Sequence, residues 1–303
     1  MRSRMDSSTE AGYGYVAGCL NTGYIAGFLR RRQVSAKGAT FAVQQSNNVE
    51  HGLPVEVTER ASIPPERDPI KVIGHFYGER LPSGERIAKF KAITLDRPSL
   101  REMPNHAAWF NDSAPEGTEA AADDFQPFFD PSDDEEVSSI FYKGDKKRGR
   151  PCLNVARLAG FIDAYGFARR ADGSLNRSCL VIALRQTKNA DEAIPIRLYG
   201  RFTEAFMKNI SVAKPVFVEG FYRVRFAVTG TKEDGSEIRE ALPYIWCNNI
   251  KVATPREIVV QPDWWRELLA KRMADMKARA DEAAAAVQAV DPAKDIPVDP
   301  SLA

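Results

Sequence analysis

Cysteine and histidine are scarce in this chain, and the few residues of each kind lie far apart. The 303 residues include four cysteines, at positions 19, 152, 179 and 247, and three histidines, at positions 51, 75 and 106. No two cysteines have the CxxC spacing. Zinc sites and disulfide frameworks are built from clustered ligands or thiols at regular spacings. We therefore expect no metal site and four reduced thiols.

Long hydrophobic runs are also missing. No segment approaches the roughly 18 consecutive apolar residues that a membrane-spanning helix needs. The N-terminus is polar and lacks the apolar stretch of a secretory signal. These absences predict a cytoplasmic protein without a membrane partner.

The motifs of common catalytic sites are absent as well. The sequence has no Walker loop, no HExxH and no nucleophile elbow. Paired carboxylates hold Mg²⁺ in nucleases, but the one dense acidic cluster, at 133–136, lies in low-complexity sequence that does not position it. We therefore expect no catalytic residues and no cofactor, and the chain is not predicted to be an enzyme.

The sequence does contain an internal repeat of two copies. The segment 21–29, NTGYIAGFL, returns at 154–162 as NVARLAGFI, with Asn, Ala-Gly and Phe at matching places. Three more blocks match in the same order: 37–43 with 178–184, 53–57 with 194–198, and 68–77 with 214–222. A repeat of this length indicates duplicated domains, because the units of a solenoid recur every 20–50 residues. We predict a segment at 1–20, a first barrel at 21–101, a linker at 102–150, a second barrel at 151–258, and a helix and tail at 259–303.

The net charge of +1 hides a segregation of charge along the chain. Lysine and arginine exceed aspartate and glutamate by 13 to 8 in 21–101 and by 16 to 11 in 154–258, whereas 112–136 holds ten carboxylates and no basic residue. Two basic bodies joined by an acidic linker favour a polyanionic partner, with a linker that competes for the same surface. The alternative is a solvated linker without a regulatory role.

Each copy has the pattern of strands. Residues 216–225 alternate between two faces, with Val216, Val218, Gly220, Tyr222 and Val224 on one face, which is typical of a half-buried strand. The second copy contains five such segments, and a helix at 202–210 separates the third from the fourth. This is the strand order of an OB fold. In the first copy, the adjacent prolines Pro64 and Pro65 within 58–69 leave little room for the helix, so that the offset between the copies grows. We predict an all-β chain of two tandem OB-fold barrels joined by a disordered acidic linker, with a C-terminal α-helix that opens at 262–265 and runs to about 289.

At this point the second copy resembles the bacterial single-stranded-DNA-binding protein family. The shared blocks are Asn-x-x-x-Leu-x-Gly at 154–160, an apolar-Ala step at 182–183, an apolar-aromatic-Gly-Arg block at 198–201 and Val-x-Val-Glu-Gly at 216–220. The resemblance implies aromatic residues on the third and fourth strands that stack on bases, and Tyr199 occupies one such position. The tryptophans usual in the family fall here near Ala193 and near Ala227, beside Phe226. The family's acidic, aromatic-ended tail has only a loose counterpart at 295–298.

A binder of single strands needs cations along a groove and flat side chains that stack on bases. The second barrel offers both types on strands two to four and on the following hairpin. The predicted nucleic-acid contacts of this barrel are Arg185, Arg197, Tyr199, Arg201, Phe221, Arg223, Arg225, Phe226 and Lys232.

The first barrel is poorer in aromatic residues. Its predicted contacts are Arg30, Arg31 and Arg32, expected in the first loop, together with Tyr77, Lys89 and Lys91. Alternative interpretations remain: Phe221 and Phe217 cover the helix or a subunit interface, and the arginine run is an ordinary solvated loop. The direction in which Tyr244 and Trp246 point cannot be deduced from their alternation.

The pattern as a whole predicts non-catalytic, largely sequence-independent binding of single-stranded DNA in replication, recombination or repair, in a phage or plasmid context or elsewhere. Replication or recombination proteins are expected as further partners, and two barrels per chain suggest a homodimer. The alternative function is an OB-fold module that binds a protein in a replication or phage assembly. The sequence does not distinguish DNA from RNA.

Overall fold

The computed structural model describes residues 14–35, 38–45, 49–58, 63–99, 102, 152–170, 173–200, 203, 206–207, 210–232 and 234–289. The predictions of a disordered acidic linker, of a contact at Arg201 and of a C-terminal tail fall on residues outside these ranges.

Strands account for most of the described residues, which confirms the prediction of a mainly β chain with a C-terminal helix. The strands are β1 (Tyr15–Val16), β2 (Cys19–Ser35), β3 (Gly38–Gln44), β4 (Leu53–Val57), β5 (Pro69–Arg80), β6 (Arg86–Asp96), β7 (Asn154–Arg169), β8 (Leu175–Arg185), β9 (Ile194–Tyr199), β10 (Pro215–Thr231) and β11 (Glu237–Val252), and the helix is α1 (Asp263–Ala289). One 3₁₀ turn, Val49–His51, precedes β4, and another, Ala190–Glu192, precedes β9. Strands β7, β10 and β11 extend several residues beyond the segments 153–163, 216–226 and 242–252 that the sequence predicts, because they continue into long hairpins.

Strands β7 to β11 form a five-stranded barrel. β7 pairs with β8, β8 with β9, β9 in parallel with β11, and β11 with β10. β10 then pairs with β7 and closes the circuit. Thr203, Phe206 and Met207 are helical, as predicted between β9 and β10, and the last two pack against the core. We call this body the C-terminal barrel.

Strands β2 to β6 follow the same order of pairing and form what we call the N-terminal set. β2 pairs with β3 and β5, β3 with β4, and β5 with β6, all antiparallel. The parallel contact between β4 and β6 consists of one residue pair, Glu56 with Lys91. No helix is present in the described residues 63–68 ahead of β5, as the two prolines predicted.

Matched glycines explain why the two sets bend alike. The ladder of β5 with β6 shifts register at Gly74, and that of β10 with β11 shifts at Gly220. A Cβ atom on Gly74 would lie 2.1 Å from the carbonyl oxygen of Lys91, and one on Gly220 would lie 2.0 Å from that of Trp246. Only glycine permits so close an approach of two backbones, so that both long hairpins bend at the same point.

The two copies meet through their first strands. β2 and β7 pair antiparallel, with Asn21 opposite Leu158, Gly23 opposite Ala156 and Ile25 opposite Asn154. Asn21 corresponds to Asn154 in the repeat, and Ile25 corresponds to Leu158. Exchange of the two copies therefore turns the pair Asn21–Leu158 into the pair Asn154–Ile25, so the pairing is self-complementary. The copies are therefore related by a pseudo-two-fold axis beside Gly23 and Ala156, as two subunits of a symmetric dimer would be.

One asparagine fixes each side of this joint. The side-chain amide of Asn21, which is 1% exposed, donates to the Phe76 carbonyl at 2.7 Å and accepts from the Phe76 N–H at 2.8 Å. The same amide donates to Gln186 Oε1 of the other copy at 2.6 Å. Gln186 in turn donates to the carbonyl oxygens of Leu20 and Ala159, at 3.0 and 2.6 Å.

The second copy repeats this arrangement atom for atom. Asn154 donates to the Tyr222 carbonyl at 2.9 Å and accepts from the Tyr222 N–H at 2.8 Å. It also donates to Gln45 Oε1 at 3.0 Å. Gln45 donates to the carbonyl oxygens of Ala26 and Leu153, at 2.6 and 2.9 Å. We call these two arrangements the Asn–Gln clamps.

One hydrophobic core runs through both copies. Tyr222 belongs to the C-terminal barrel, yet its ring lies edge-on to Phe76 of the N-terminal set at 5.2 Å between centroids. Its single hydroxyl hydrogen is shared between the carbonyl oxygens of Pro54 and Ala88, which lie 3.2 and 3.0 Å from the hydroxyl oxygen. The sequence-based interpretation of Tyr222 as a core residue is thus confirmed, and the core that it enters is shared.

The described strands lie in a compact unit that ends at Pro262, and α1 forms the main part of a second unit. The helix begins at Asp263. A carboxylate at this position stabilises the helix because the N-terminal end of the helix dipole is positive. Within the described residues no helix combines the length and the apolar character needed to cross a membrane.

We expect Asn21→Ala and Asn154→Ala each to destabilise the whole strand unit. Asn21→Ala leaves the Phe76 backbone groups and the Gln186 amide unpaired in the interior, at about 1–3 kcal/mol for a buried group that loses its partner. Urea unfolding measures the loss in the free energy of unfolding. Asn248→Ala, at an exposed position of β11, is the matched control and should stay within about 0.5 kcal/mol of the parent. Equal effects at positions 21 and 248 would contradict the role of the clamp.

Candidate nucleic-acid interface

Four of the predicted contact residues come together on the outer side of the C-terminal barrel. Arg197 and Tyr199 lie on β9, and Phe221 and Arg223 lie on β10. Between these strands runs β11, whose ladders place Trp246 beside both Arg197 and Phe221, and Tyr244 opposite Arg223. The alternate residues Tyr222 and Ile245 are in the core, so the intervening side chains point away from it. Tyr244 and Trp246 are nevertheless each only 8% exposed, because other side chains of the face cover them. We call Arg197, Tyr199, Phe221, Arg223, Tyr244 and Trp246 the arginine–aromatic face.

Each arginine of this face lies over an aromatic ring. The guanidinium carbon of Arg223 is 4.4 Å from the centre of the Trp246 ring, and that of Arg197 is 5.5 Å from the centre of the Tyr244 ring. Such cation–π contacts contribute about 0.5–1 kcal/mol when exposed and about 2 kcal/mol when desolvated. Tyr199 meets Trp246 edge-on, with 5.7 Å between centroids and 70° between planes. The rings and the guanidinium groups therefore hold one another in place.

The guanidinium groups of this face stay charged although they are partly buried. Burial lowers the pKa of Arg223 to about 10, offset in part by Tyr244 and Tyr199, so the guanidinium is still protonated near neutral pH. Burial also raises the pKa of Tyr199 well above its ordinary value, so this phenol stays neutral. The Arg197 guanidinium donates to the Tyr199 hydroxyl at 3.5 Å. The face thus combines two cations with uncharged rings.

Two other predicted arginines of this barrel are engaged elsewhere. Arg185 forms an ion pair with Asp163 at 3.2 Å and donates to the Thr187 carbonyl at 3.0 Å, which fixes the end of β8. Arg225 forms an ion pair with Glu85, in the turn between β5 and β6. Burial first and then the nearby charge of Arg197 lower the pKa of Arg225, so this arginine lies beside the face although it is paired with Glu85.

The remaining described residues predicted for this barrel lie apart from the face. Phe226 stacks on His51 of the N-terminal set, with 5.4 Å between centroids and 25° between planes. Its ring is therefore covered by another ring. Lys232 is exposed in the hairpin turn between β10 and β11.

The expectation that Arg30, Arg31 and Arg32 lie in a loop is wrong. All three belong to β2, where the ladder with β3 shifts register between Arg30 and Gln33, and Arg31 has φ of 55°. This bulge lets the strand continue as far as Ser35. Arg30 Nε donates to Gln44 Oε1 at 2.8 Å, while Arg31 and Arg32 are exposed.

The predicted contacts on β5 and β6 point outward, as expected, but carboxylates surround them. Tyr77 donates its hydroxyl hydrogen to Glu56. Lys89 forms ion pairs with Glu56, at 3.3 Å, and with Glu79. Lys91 lies across the ladder from His75, where burial first and then the charge of Lys91 lower the pKa of that histidine.

Reasoning from the sequence missed Tyr244 and Trp246 as members of the face. The available signal was the hairpin itself, but its ladder pairs Arg223 with Tyr244 and Phe221 with Trp246 only because the register shifts between Val228 and Gly230. Extension from the turn without that bulge would have placed Ile245 opposite Arg223. A hairpin whose register is known assigns the facing of one strand from that of the other. In the described part of the chain, no group of three or more His, Cys, Asp or Glu residues is placed to hold a metal ion.

Comparison with known proteins gives a structural likeness only. No protein-family model and no curated protein sequence matches the chain. Crystal structures of the single-stranded DNA binding protein from Thermus aquaticus are similar to it. A deletion mutant has a TM-score of 0.42 and 12% identity over 79% of this chain and 97% of that one, and the wild type has 0.42 and 10% over 78% and 94%.

A replication protein A heterotrimer bound to single-stranded DNA has a TM-score of 0.18 and 10% identity, over 84% of this chain and 53% of that one.

Removal of the Arg223 side chain should uncover Trp246. We expect Arg223→Ala to increase acrylamide quenching of tryptophan fluorescence and to shift the emission to longer wavelength, because water then reaches the indole. Arg223→Lys should have a similar effect, since an ammonium group cannot lie flat on a ring. The control is the same pair of substitutions with Trp246→Phe. A spectral change that persists without Trp246 would contradict the contact.

Proposed function

We propose that the chain binds single-stranded DNA on the arginine–aromatic face and that it does so without catalysing a reaction. The observation that supports this function is the layering of Arg223 on Trp246 and of Arg197 on Tyr244 across three adjacent strands of the barrel. The two types of side chain that an unpaired strand requires thus occupy one surface.

The physical reason follows from the chemistry of an unpaired strand. Its phosphates need cations, and its exposed bases gain about 1–3 kcal/mol each by stacking on aromatic side chains. Guanidinium groups serve both purposes, since they bond phosphates in a fork geometry and stack on planar rings. Stacking does not distinguish one base from another, so the binding is largely independent of sequence.

The pairing pattern supports a finer proposal for the fold. We propose that both sets of strands are OB-fold barrels, at 21–101 and 151–258, and that the single residue pair between β4 and β6 closes the first. The setting that suits such a protein is DNA replication, recombination or repair in the cytoplasm, with other proteins of these processes as partners. The homodimer remains a prediction, which sedimentation equilibrium would test.

The direct test is titration with oligo-dT at several salt concentrations, with tryptophan fluorescence as the signal. We expect quenching whose affinity falls with salt, with a log-log slope of about −0.7 for each phosphate contact. Arg197→Ala combined with Arg223→Ala should weaken binding to all sequences and flatten that slope. Arg197→Lys combined with Arg223→Lys should weaken binding but keep the slope, because the charge remains while the flat stacking group is lost.

The matched control is Arg256→Ala combined with Arg266→Ala, which removes the same charge from exposed positions after β11 and in α1. This variant should bind like the parent. A parent chain that shows no response to oligo-dT at low salt would refute the proposal and would favour the alternative of a protein-binding OB module. Thermal unfolding of each variant establishes that the fold is intact.

A further inference from the structure

The arginine–aromatic face has a counterpart in the N-terminal set, and the ladders identify it position by position. The parallel pair of Trp246 with Arg197 corresponds to the pair of Lys91 with Glu56. Glu56 therefore occupies the place of Arg197 in the first copy, where the sequence blocks also align them.

The antiparallel ladders complete the comparison. Arg223 opposite Tyr244 corresponds to Tyr77 opposite Lys89. Phe221 opposite Trp246 likewise corresponds to His75 opposite Lys91. Two large aromatic residues of the arginine–aromatic face are thus replaced by lysines. We call Glu56, His75, Tyr77, Glu79, Lys89 and Lys91 the carboxylate–lysine face.

The charges of this second face are largely neutralised from within. Lys89 is held by two carboxylates, those of Glu56 and Glu79, and the hydroxyl hydrogen of Tyr77 is donated to Glu56 as well. The carboxylates keep Lys89 charged but occupy it, and they present negative charge to any phosphate that approaches. In the arginine–aromatic face, by contrast, Arg197 lies over Tyr244 and Arg223 lies over Trp246. Arg197 also donates to the Tyr199 hydroxyl and to the Cys179 thiol.

We propose that Glu56 and Glu79 exclude single-stranded DNA from the N-terminal set, so that each chain holds a strand on the C-terminal barrel alone. This inference rests on the proposed function and assigns it to one of the two copies. The two carboxylates are determinants of selectivity: they convert a face with the geometry of a binding surface into one that rejects polyanions. A phosphate that binds Lys89 must also break the ion pairs of this lysine. The free energy needed to break them adds to the repulsion between the phosphate and the two carboxylates.

The test is to neutralise the two carboxylates and count the bound strands. Glu56→Gln combined with Glu79→Gln releases Lys89, and Glu56→Arg installs the residue that the second copy has at this place. Isothermal titration calorimetry with an oligo-dT of about eight nucleotides, within the range that one OB fold covers, gives the stoichiometry for each chain. We expect the parent to bind one oligonucleotide and both variants to bind a second one, with greater affinity in Glu56→Arg.

The same substitutions in a chain that carries Arg197→Ala and Arg223→Ala separate the two proposals. There the only binding should be that gained at the N-terminal set, so Glu56→Arg should restore affinity that the double arginine variant has lost. Glu50→Gln combined with Glu66→Gln, at exposed positions of the same copy, removes the same charge and should add no site.

Each outcome decides one proposal. A parent that already binds two oligonucleotides would overturn the exclusion, and so would carboxylate variants that keep one site while the parent binds normally. An absence of binding by the parent and by every variant would instead refute the proposed function. A gain that is equal in Glu50→Gln with Glu66→Gln would show that net charge, rather than these two carboxylates, governs the stoichiometry.

Discussion

The antiparallel pairing of β2 with β7 and the two Asn–Gln clamps across it are the constraint on which the rest of the strand unit depends. Asn21 bonds the backbone of its own copy at Phe76 and the side chain of Gln186 in the other. Buried amide groups must be paired, because an unpaired one costs about 1–3 kcal/mol. Neither copy can satisfy its asparagine and glutamine by itself. The duplicated sequence thus forms one unit with a shared core, in which a covalent chain joins what would otherwise be two subunits.

Comparison of the two symmetry-related copies distinguishes the residues that maintain the fold from those that determine the chemistry of the outer faces. The glycines at the bends, the asparagines of the clamps and the glutamines that they bind occur in both copies at corresponding places. The charged and aromatic outward positions of the two faces differ, with Arg197 in one copy and Glu56 in the other. Outward side chains of a barrel make few contacts with its core, so the two faces have different charges on one backbone geometry.

The sequence predicted those parts of this structure that local patterns govern. Period-two alternation assigned the faces of β10 correctly, because each residue on a strand faces opposite to its neighbour. The order of the matched blocks predicted the order of the strands. The pairing of β2 with β7 and the ion pair of Arg225 with Glu85 were not predictable in this way, since they join residues 129 to 140 positions apart. Alternation states which side of a strand is buried but does not state which other strand lies beside it. The misplacement of Arg30 to Arg32 in a loop has a similar cause, because a bulge keeps a polar segment within a strand.

Tyr222 connects the joint to the face. Its backbone is held on both sides by Asn154, and its ring is fixed between Phe76 and the backbone carbonyls of Pro54 and Ala88 in the other copy. Its neighbours on β10, Phe221 and Arg223, must then point away from the core, because adjacent side chains of a strand lie on opposite sides. The contact between the copies therefore orients the two residues of β10 that belong to the arginine–aromatic face. A binding surface arranged before the ligand arrives loses less conformational entropy when it binds. The N-terminal set thus acts on the proposed DNA site through the shared core, even though its own outward face carries the carboxylates that oppose a strand.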